Sequence, residues 1–216
     1  MASKQLITEL ESFEELNAVA LAWTNGLINN LWINGYAGSG KSTAVRQACE
    51  QAPRIEWVTG HMTPKKLFEL MCEWENRGIK LVVFDDVQAI TRNVSASALL
   101  KQAMSGDKVE YNTTQKVDVS ETTVGYRFCV ITNDKGTPNE HIGALQSRSM
   151  CVEHTPTFDK TLSFALRKEI INQEVYNHIN FIGCSSQGYV DLRTLSKIQT
   201  LCDLGFKWKE QYQKYV

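Results

Sequence analysis

The chain is 216 residues long, enough for one αβ domain with a small appendage and too short for two large domains. Its formal net charge of −1 excludes a protein that coats nucleic acid by bulk charge, so any such contact must be made locally by a few loops. Apolar residues make up 43% of the chain and support a buried core; the six cysteines, with no CxxC pair and no metal-ligand spacing, read as reduced core thiols of a cytosolic protein.

The N-terminus, Met1-Ala2-Ser3-Lys4-Gln5, lacks the apolar run of a signal peptide, and no later stretch approaches membrane-spanning length. No membrane association is therefore expected. Residues 1–30 read as a helical segment, with an acidic start at Glu11 to Glu15 and an apolar stretch from Leu16 to Ile28.

The apolar run Leu31-Trp32-Ile33 reads as a strand and leads into Gly35-Tyr36-Ala37-Gly38-Ser39-Gly40-Lys41-Ser42. This is a complete G-x-x-x-x-G-K-[ST] loop, with Thr43 opening the helical stretch behind it. A strand delivers such a loop and a helix leaves it, so backbone N–H groups and a helix N-terminus converge on one anion. The glycines allow close approach to phosphates; Lys41 is placed to reach the β- and γ-phosphates, and the Ser42 hydroxyl to ligate Mg²⁺. The expected ligands are a nucleoside triphosphate and Mg²⁺.

Next comes a strand at Ile55–Val58, then a helix capped by Thr63 with Pro64 in its first turn. Leu67, Leu70, Met71 and Trp74 recur at helical spacing until Gly78. Leu81-Val82-Val83-Phe84 is a continuous apolar run, as in a parallel strand buried on both faces. It ends in Asp85-Asp86: Asp85 is a candidate Mg²⁺ ligand through its water shell, and Asp86 a candidate general base for the attacking water. Standing alone, the pair would better suit an ordinary turn or helix cap; its place some forty residues after the phosphate loop favours the functional reading. A helix is expected from Val94 to Met104, and a β-hairpin, inserted over about 108–126, carries Lys108 and Lys116. The strand Phe128–Ile131 ends in Thr132-Asn133, where an amide could hydrogen-bond the γ-phosphate and attacking water, or simply begin a turn. A helix from Glu140 to Gln146 and a strand near Met150–Val152 close the alternation, which implies a parallel sheet covered on both faces. From about Thr157 the pattern is helical: Phe158 to Ile182, a Ser185-Ser186-Gln187-Gly188 loop, then Leu192 to Leu204 and Trp208 to Tyr215.

The order of these motifs, followed by Ala144-Leu145-Gln146-Ser147-Arg148, resembles the AAA+ ATPase family over about Leu31 to Lys197, and within it the small members encoded by tailed phages and mobile elements. The resemblance implies a P-loop NTPase of three αβα layers: a core over 31–156 and a small all-helical lid over 157–216. It implies that Asn133 is sensor 1, that Arg148 is an arginine finger reaching a neighbouring subunit's site, and that Arg193, in Asp191-Leu192-Arg193, is sensor 2. Without the resemblance, Arg148 reads as a surface arginine at a helix end and Arg193 as a first-turn arginine beside Asp191. The resemblance further implies a ring or spiral oligomer, ATP hydrolysis at subunit interfaces, and location in the cytoplasm, of the host if phage-encoded. Two departures stand out. The second acid is Asp86 where the family usually has Glu, and Thr59-Gly60-His61-Met62-Thr63 lacks the aromatic pore loop of protein unfoldases. That region instead presents Lys65 and Lys66, which with the hairpin favour DNA as the substrate. A chaperone-like remodeller of a protein complex, and a P-loop phosphotransferase, are the alternatives; a protein partner for targeting is also expected.

Overall fold

The computed structural model describes residues 7–106, 109–111, 121–122, 125–133, 140–183 and 190–215. In chain order, β1 (Ile7–Leu10) leads to α1 (Phe13–Thr24), β2 (Leu31–Gly35) to α2 (Lys41–Cys49), and β3 (Ile55–Thr59) to α3 (Pro64–Arg77). Then come β4 (Leu81–Asp85), the short α4 (Gln88–Arg92), α5 (Val94–Met104), β5 (Val109–Glu110) and β6 (Glu121–Thr122). β7 (Arg127–Ile131), α6 (Glu140–Gln146) and β8 (Met150–His154) complete the sheet region, and α7 (Phe158–Arg167), α8 (Gln173–Ile182), α9 (Leu192–Asp203) and α10 (Trp208–Tyr215) follow.

Six strands form one parallel sheet in the order β1-β8-β2-β7-β4-β3. Successive side chains on a strand point to opposite faces, and Leu31–Ile33, Leu81–Phe84 and Phe128–Ile131 are unbroken apolar runs within the central strands, so each feeds two cores. Trp32, Val82, Phe84, Phe128 and Val130 pack on one face with α3, α5 and α6 through residues such as Leu67, Met71, Trp74, Leu100 and Leu145. Leu31, Ile33, Leu81, Val83, Cys129 and Ile131 face the other way, onto Leu16, Ala20 and Trp23 of α1 and Ala44, Val45 and Ala48 of α2. These are the three αβα layers expected.

Helix ends follow local chemistry. Ser12 and Glu15 form a reciprocal capping box on α1, Oγ accepting from the Glu15 amide at 3.2 Å and Glu15 Oε2 from the Ser12 amide at 3.1 Å. Thr63 caps α3 ahead of Pro64, and Gly78 ends it at φ 63°.

Two details differ from the sequence reading. The N-terminal segment is not helical throughout: Ile7–Leu10 adds a sixth strand, pairing in parallel with β8 from Ile7↔Cys151 to Leu10↔His154. It is a four-residue edge strand with only Leu10 buried, too short and too exposed to show a period. The expected helix over Phe158 to Ile182 breaks in two. Glu169 adopts φ 56°, and Asn172 caps α8 by accepting from the Val175 amide at 2.9 Å, so a side-chain oxygen competes with helix continuation. β5 and β6 pair antiparallel, with Val109 opposite Thr122; the rest of the hairpin expected over about 108–126, Lys108 and Lys116 included, lies outside the described residues, as does the loop at 185–188.

After β8 the helices α7 to α10 build their own core from Leu162, Ile171, Val175, Ile179, Leu195, Ile198, Trp208 and Tyr212. Phe13 belongs to it as well, stacked on Phe164 of α7 at 3.7 Å between ring centroids. The turn into α1 therefore joins the sheet to the helical cluster.

Candidate functional site

The phosphate loop runs from the C-terminal end of β2 to the N-terminus of α2. Gly40, the residue before α2, has φ 85°, and a Cβ there would stand 2.2 Å from the Phe13 ring. A Cβ on Gly35 would stand 2.2 Å from the His154 carbonyl oxygen. Both positions require glycine, one for conformation and crowding, the other for close backbone approach.

β7 lies between β2 and β4, so the tips of three adjacent strands present the loop, Asn133 and Asp85 side by side. At about 4.8 Å between neighbouring strands, all three fall within reach of one triphosphate. Ser42 Oγ donates to Asp85 Oδ1 at 2.8 Å. Lys41, only 5% exposed, donates to the carbonyls of Gly35 at 2.8 Å and Tyr36 at 2.7 Å and to Asn133 Oδ1 at 2.8 Å. Burial lowers the Lys41 pKa to about 8; Asp85, Asp86 and Glu153 oppose the shift and the Arg193 charge reinforces it. The ammonium is thus a pre-aimed, poorly solvated donor for which an anionic phosphate is the natural counter-charge.

Asp86 sits at φ 55°, the left-handed region that Asp tolerates better than most residues, and its amide donates to the Ile131 carbonyl at 3.0 Å. That tie to β7 fixes where its exposed carboxylate hangs. A cavity of about 450 Å³ is lined by the loop, Asp85, Asp86, Asn133, Thr59 and Arg193. A second, of about 340 Å³, lies behind Asp86 and Asn133 and is lined also by Thr132, Thr91 and Arg92. Ser42 and Asp85 offer hard oxygen donors 2.8 Å apart, which suits Mg²⁺. The described residues hold no cluster of three or more His, Cys, Asp or Glu able to bind a metal, so phosphate oxygens and water would complete its coordination.

Arg193 is brought into the site from the helical region. Asp191 caps α9 by accepting from the Thr194 amide at 2.9 Å, and the Leu192 amide donates to the Gly38 carbonyl at 3.0 Å, so the first turn of α9 rests on the loop. Arg148 is not brought in. Its backbone carbonyl accepts from Asn30 Nδ2 at 3.2 Å, beside the start of β2, whereas the loop leaves the end of that strand. The five-residue strand puts roughly 16 Å between them. The exposed guanidinium donates to Ser105 Oγ at 3.0 Å and the Ala144 carbonyl at 2.8 Å.

Two residues that contact the loop carried no motif signal: Phe13 and His154. His154 is fully buried at the tip of β8, its Nε2 3.1 Å from the Ser39 carbonyl oxygen. Burial lowers its pKa to about 4, the Ser39 bond opposes this, and the Lys41 charge adds to it, so the ring is neutral near pH 7. Against an unfolded value near 6.5, the neutral ring's contribution to stability is complete above about pH 6.5 and is lost as pH falls towards about 4. The gap corresponds to roughly 3 kcal/mol. In urea unfolding, the stability difference between wild type and His154→Gln should narrow by about that amount between pH 7.5 and 4. A difference independent of pH would contradict the buried neutral imidazole.

The sheet order, loop and neighbouring acid-tipped strand define a P-loop αβα fold. No protein-family model matches the chain, and no curated protein matches it either. Among solved structures, the chain is similar to NtrX from Brucella abortus in complex with ATP at TM-score 0.54 and 15% identity, covering 92% of this chain and 52% of that one. It is similar to RuvB from Thermotoga maritima, described as a Holliday junction branch migration motor, at TM-score 0.53 and 12% identity, covering 90% and 63%. It is also similar to the replication initiator DnaA bound to AMPPCP and single-stranded DNA at TM-score 0.54 and 14% identity, covering 93% and 63%. At these identities the likeness is one of fold, and the chain spans between about half and two thirds of those proteins' length.

Proposed function

We propose that this chain hydrolyses ATP at an interface between its own copies and uses the energy to remodel or translocate nucleic acid, in the DNA replication or recombination of a phage or mobile element. The observation that carries the hydrolysis is the convergence of Lys41, Ser42, Asp85, Asp86 and Asn133 at three adjacent strand tips. Lys41, the loop amides and Arg193 bind and neutralise the triphosphate. Ser42 and Asp85 hold Mg²⁺, which supplies Lewis-acid stabilisation of phosphate charge. Asp86 takes the proton of the attacking water while Asn133 orients it.

Arg148, at the opposite end of the sheet from its own chain's loop, would serve a neighbour's phosphates; this supports assembly into a ring or spiral. Nucleic acid as the substrate is supported by Lys65 and Lys66 on the exposed first turn of α3, a few residues after Thr59 and Gly60, which line the nucleotide cavity. It is supported too by the fold likeness to the branch migration motor and to the initiator bound to single-stranded DNA. A chaperone-like remodeller would use the same site on a protein substrate. No helix among the described residues is long and apolar enough to cross a membrane, and we place the protein in the cytoplasm, recruited by a protein partner.

The test is steady-state ATPase with and without single- and double-stranded DNA, at low and high salt. Stimulation by DNA that fades with salt is expected, because the contact is electrostatic. ATPase without stimulation by either DNA would move the assignment to a protein substrate, and absence of ATPase at any concentration would remove it.

A further inference from the structure

We infer that His154 is a positioning residue for nucleotide binding: its neutral imidazole donates Nε2–H to the Ser39 carbonyl and so aims the Gly40 amide into the phosphate site. The inference rests on the reading of Gly35 to Ser42 as a phosphate loop and adds a residue that no motif contains.

The geometry is simple. A carbonyl oxygen can only accept, so the 3.1 Å contact is a hydrogen bond in the Nε2–H tautomer, the one assigned to His154 here. Ser39 C=O and Gly40 N–H belong to one planar trans peptide and point in opposite directions. Holding the carbonyl down towards β8 therefore turns the amide up, away from the core and towards the cavity. Gly40 immediately precedes Lys41, the first residue of α2, so its amide belongs to the set that cradles the anion.

His154 also meets the loop at its entry, where its carbonyl oxygen lies so close to Gly35 that no Cβ would fit. Its ring is held edge-on by Phe13, at 5.3 Å and 77°, and Phe13 in turn fills the space beside Gly40.

An apolar side chain could fill this place in the core without a polar cost. With the proton on Nε2, Nδ1 is a buried acceptor without a hydrogen-bond partner, because the Leu10 carbonyl beside it can only accept. A ring with one unsatisfied nitrogen, whose other nitrogen bonds only the phosphate loop, suits a task at the loop better than a packing task.

The test pairs ATP affinity by calorimetry with nucleotide-free thermal melting for His154→Gln, His154→Asn and His154→Met. The Gln amide nitrogen reaches the place of Nε2, the Asn amide only that of Nδ1, and Met has the bulk without a donor. Loss of one buried hydrogen bond should weaken ATP binding about tenfold in the Asn and Met variants, while Gln stays within about twofold of wild type. Affinities that follow the melting temperatures across all three, or Asn and Met variants that bind as wild type does, would overturn the inference. The wild-type protein gives an independent reading: an ¹⁵N-imidazole spectrum should show the Nε2–H tautomer for His154, and an Nδ1–H tautomer would sink the proposal even if no variant folds. Failure of wild type itself to bind ATP would instead strike the phosphate-loop reading.

Discussion

Replacing Lys41 with methionine is expected to lower ATP affinity by at least about a hundredfold. The side chain keeps its unbranched shape, one atom shorter, and loses its charge; a hydrogen bond to a charged group is worth roughly 1.5–3 kcal/mol, so losing two phosphate contacts removes about 3 kcal/mol or more. The structure strengthens the case beyond the motif. The ammonium is buried, lies at 2.7–2.8 Å from two loop carbonyls and Asn133, and is aligned before any phosphate arrives. All three N–H groups are engaged in these bonds, so a phosphate oxygen takes the place of one or more of the acceptors, and the charge it meets is already at the loop. Titration calorimetry with ATP and Mg²⁺ measures the loss, and circular dichroism shows that the variant is folded. A folded Lys41→Met protein binding ATP within about threefold of wild type would remove the nucleotide site from this loop.

Substituting Arg148 with alanine should leave ATP affinity unchanged and cut hydrolysis by about 10³–10⁵, the range seen when an arginine supplied in trans is removed from phosphoryl transfer. Affinity should hold because Arg148 lies beside Asn30 at the far end of β2 from its own loop. Hydrolysis should fall because the missing positive charge would act on a neighbour's transferring phosphate. The guanidinium's bonds to Ser105 and Ala144 lie at the surface, where water can replace them, so turning it towards a neighbour costs little.

Mixing decides the geometry. The Lys41→Met chain has a dead loop and an intact Arg148, and the Arg148→Ala chain the reverse. Combined, they create interfaces where an intact loop meets an intact arginine, and ATPase should reappear and rise with total protein concentration. If sedimentation shows the two chains co-assembling while the mixture stays inactive, the trans arrangement is wrong. Full activity in Arg148→Ala alone would return that residue to an ordinary surface arginine.

Much of the site was legible in the chain because its parts are local. Gly35 to Ser42 needs specific residues at fixed spacing, and Asp85 and Asn133 each end an uninterrupted apolar run, which marks the tip of a buried parallel strand. The distances between these parts were not legible. That β7 inserts between β2 and β4, so that Asn133 can touch Lys41, depends on pairings between residues about fifty to a hundred apart. β1 escaped for a related reason: four mostly exposed residues carry no period, and Ile7–Leu10 is a strand only because β8 offers it an edge. The break between α7 and α8 turned on a side-chain cap at Asn172 that competes with a sequence otherwise consistent with one long helix.

By itself, the sequence determined the layered αβ architecture and the phosphate loop, since hydrophobic period and glycine spacing act over a few residues and need no partner. Tertiary structure alone decided which residues surround that loop. Strand order set His154 under Ser39 and Arg148 at the far end, and the packing of α9 against Gly38 delivered Arg193. None of these contacts has a local signature, because each is made between elements that meet only after the sheet has closed.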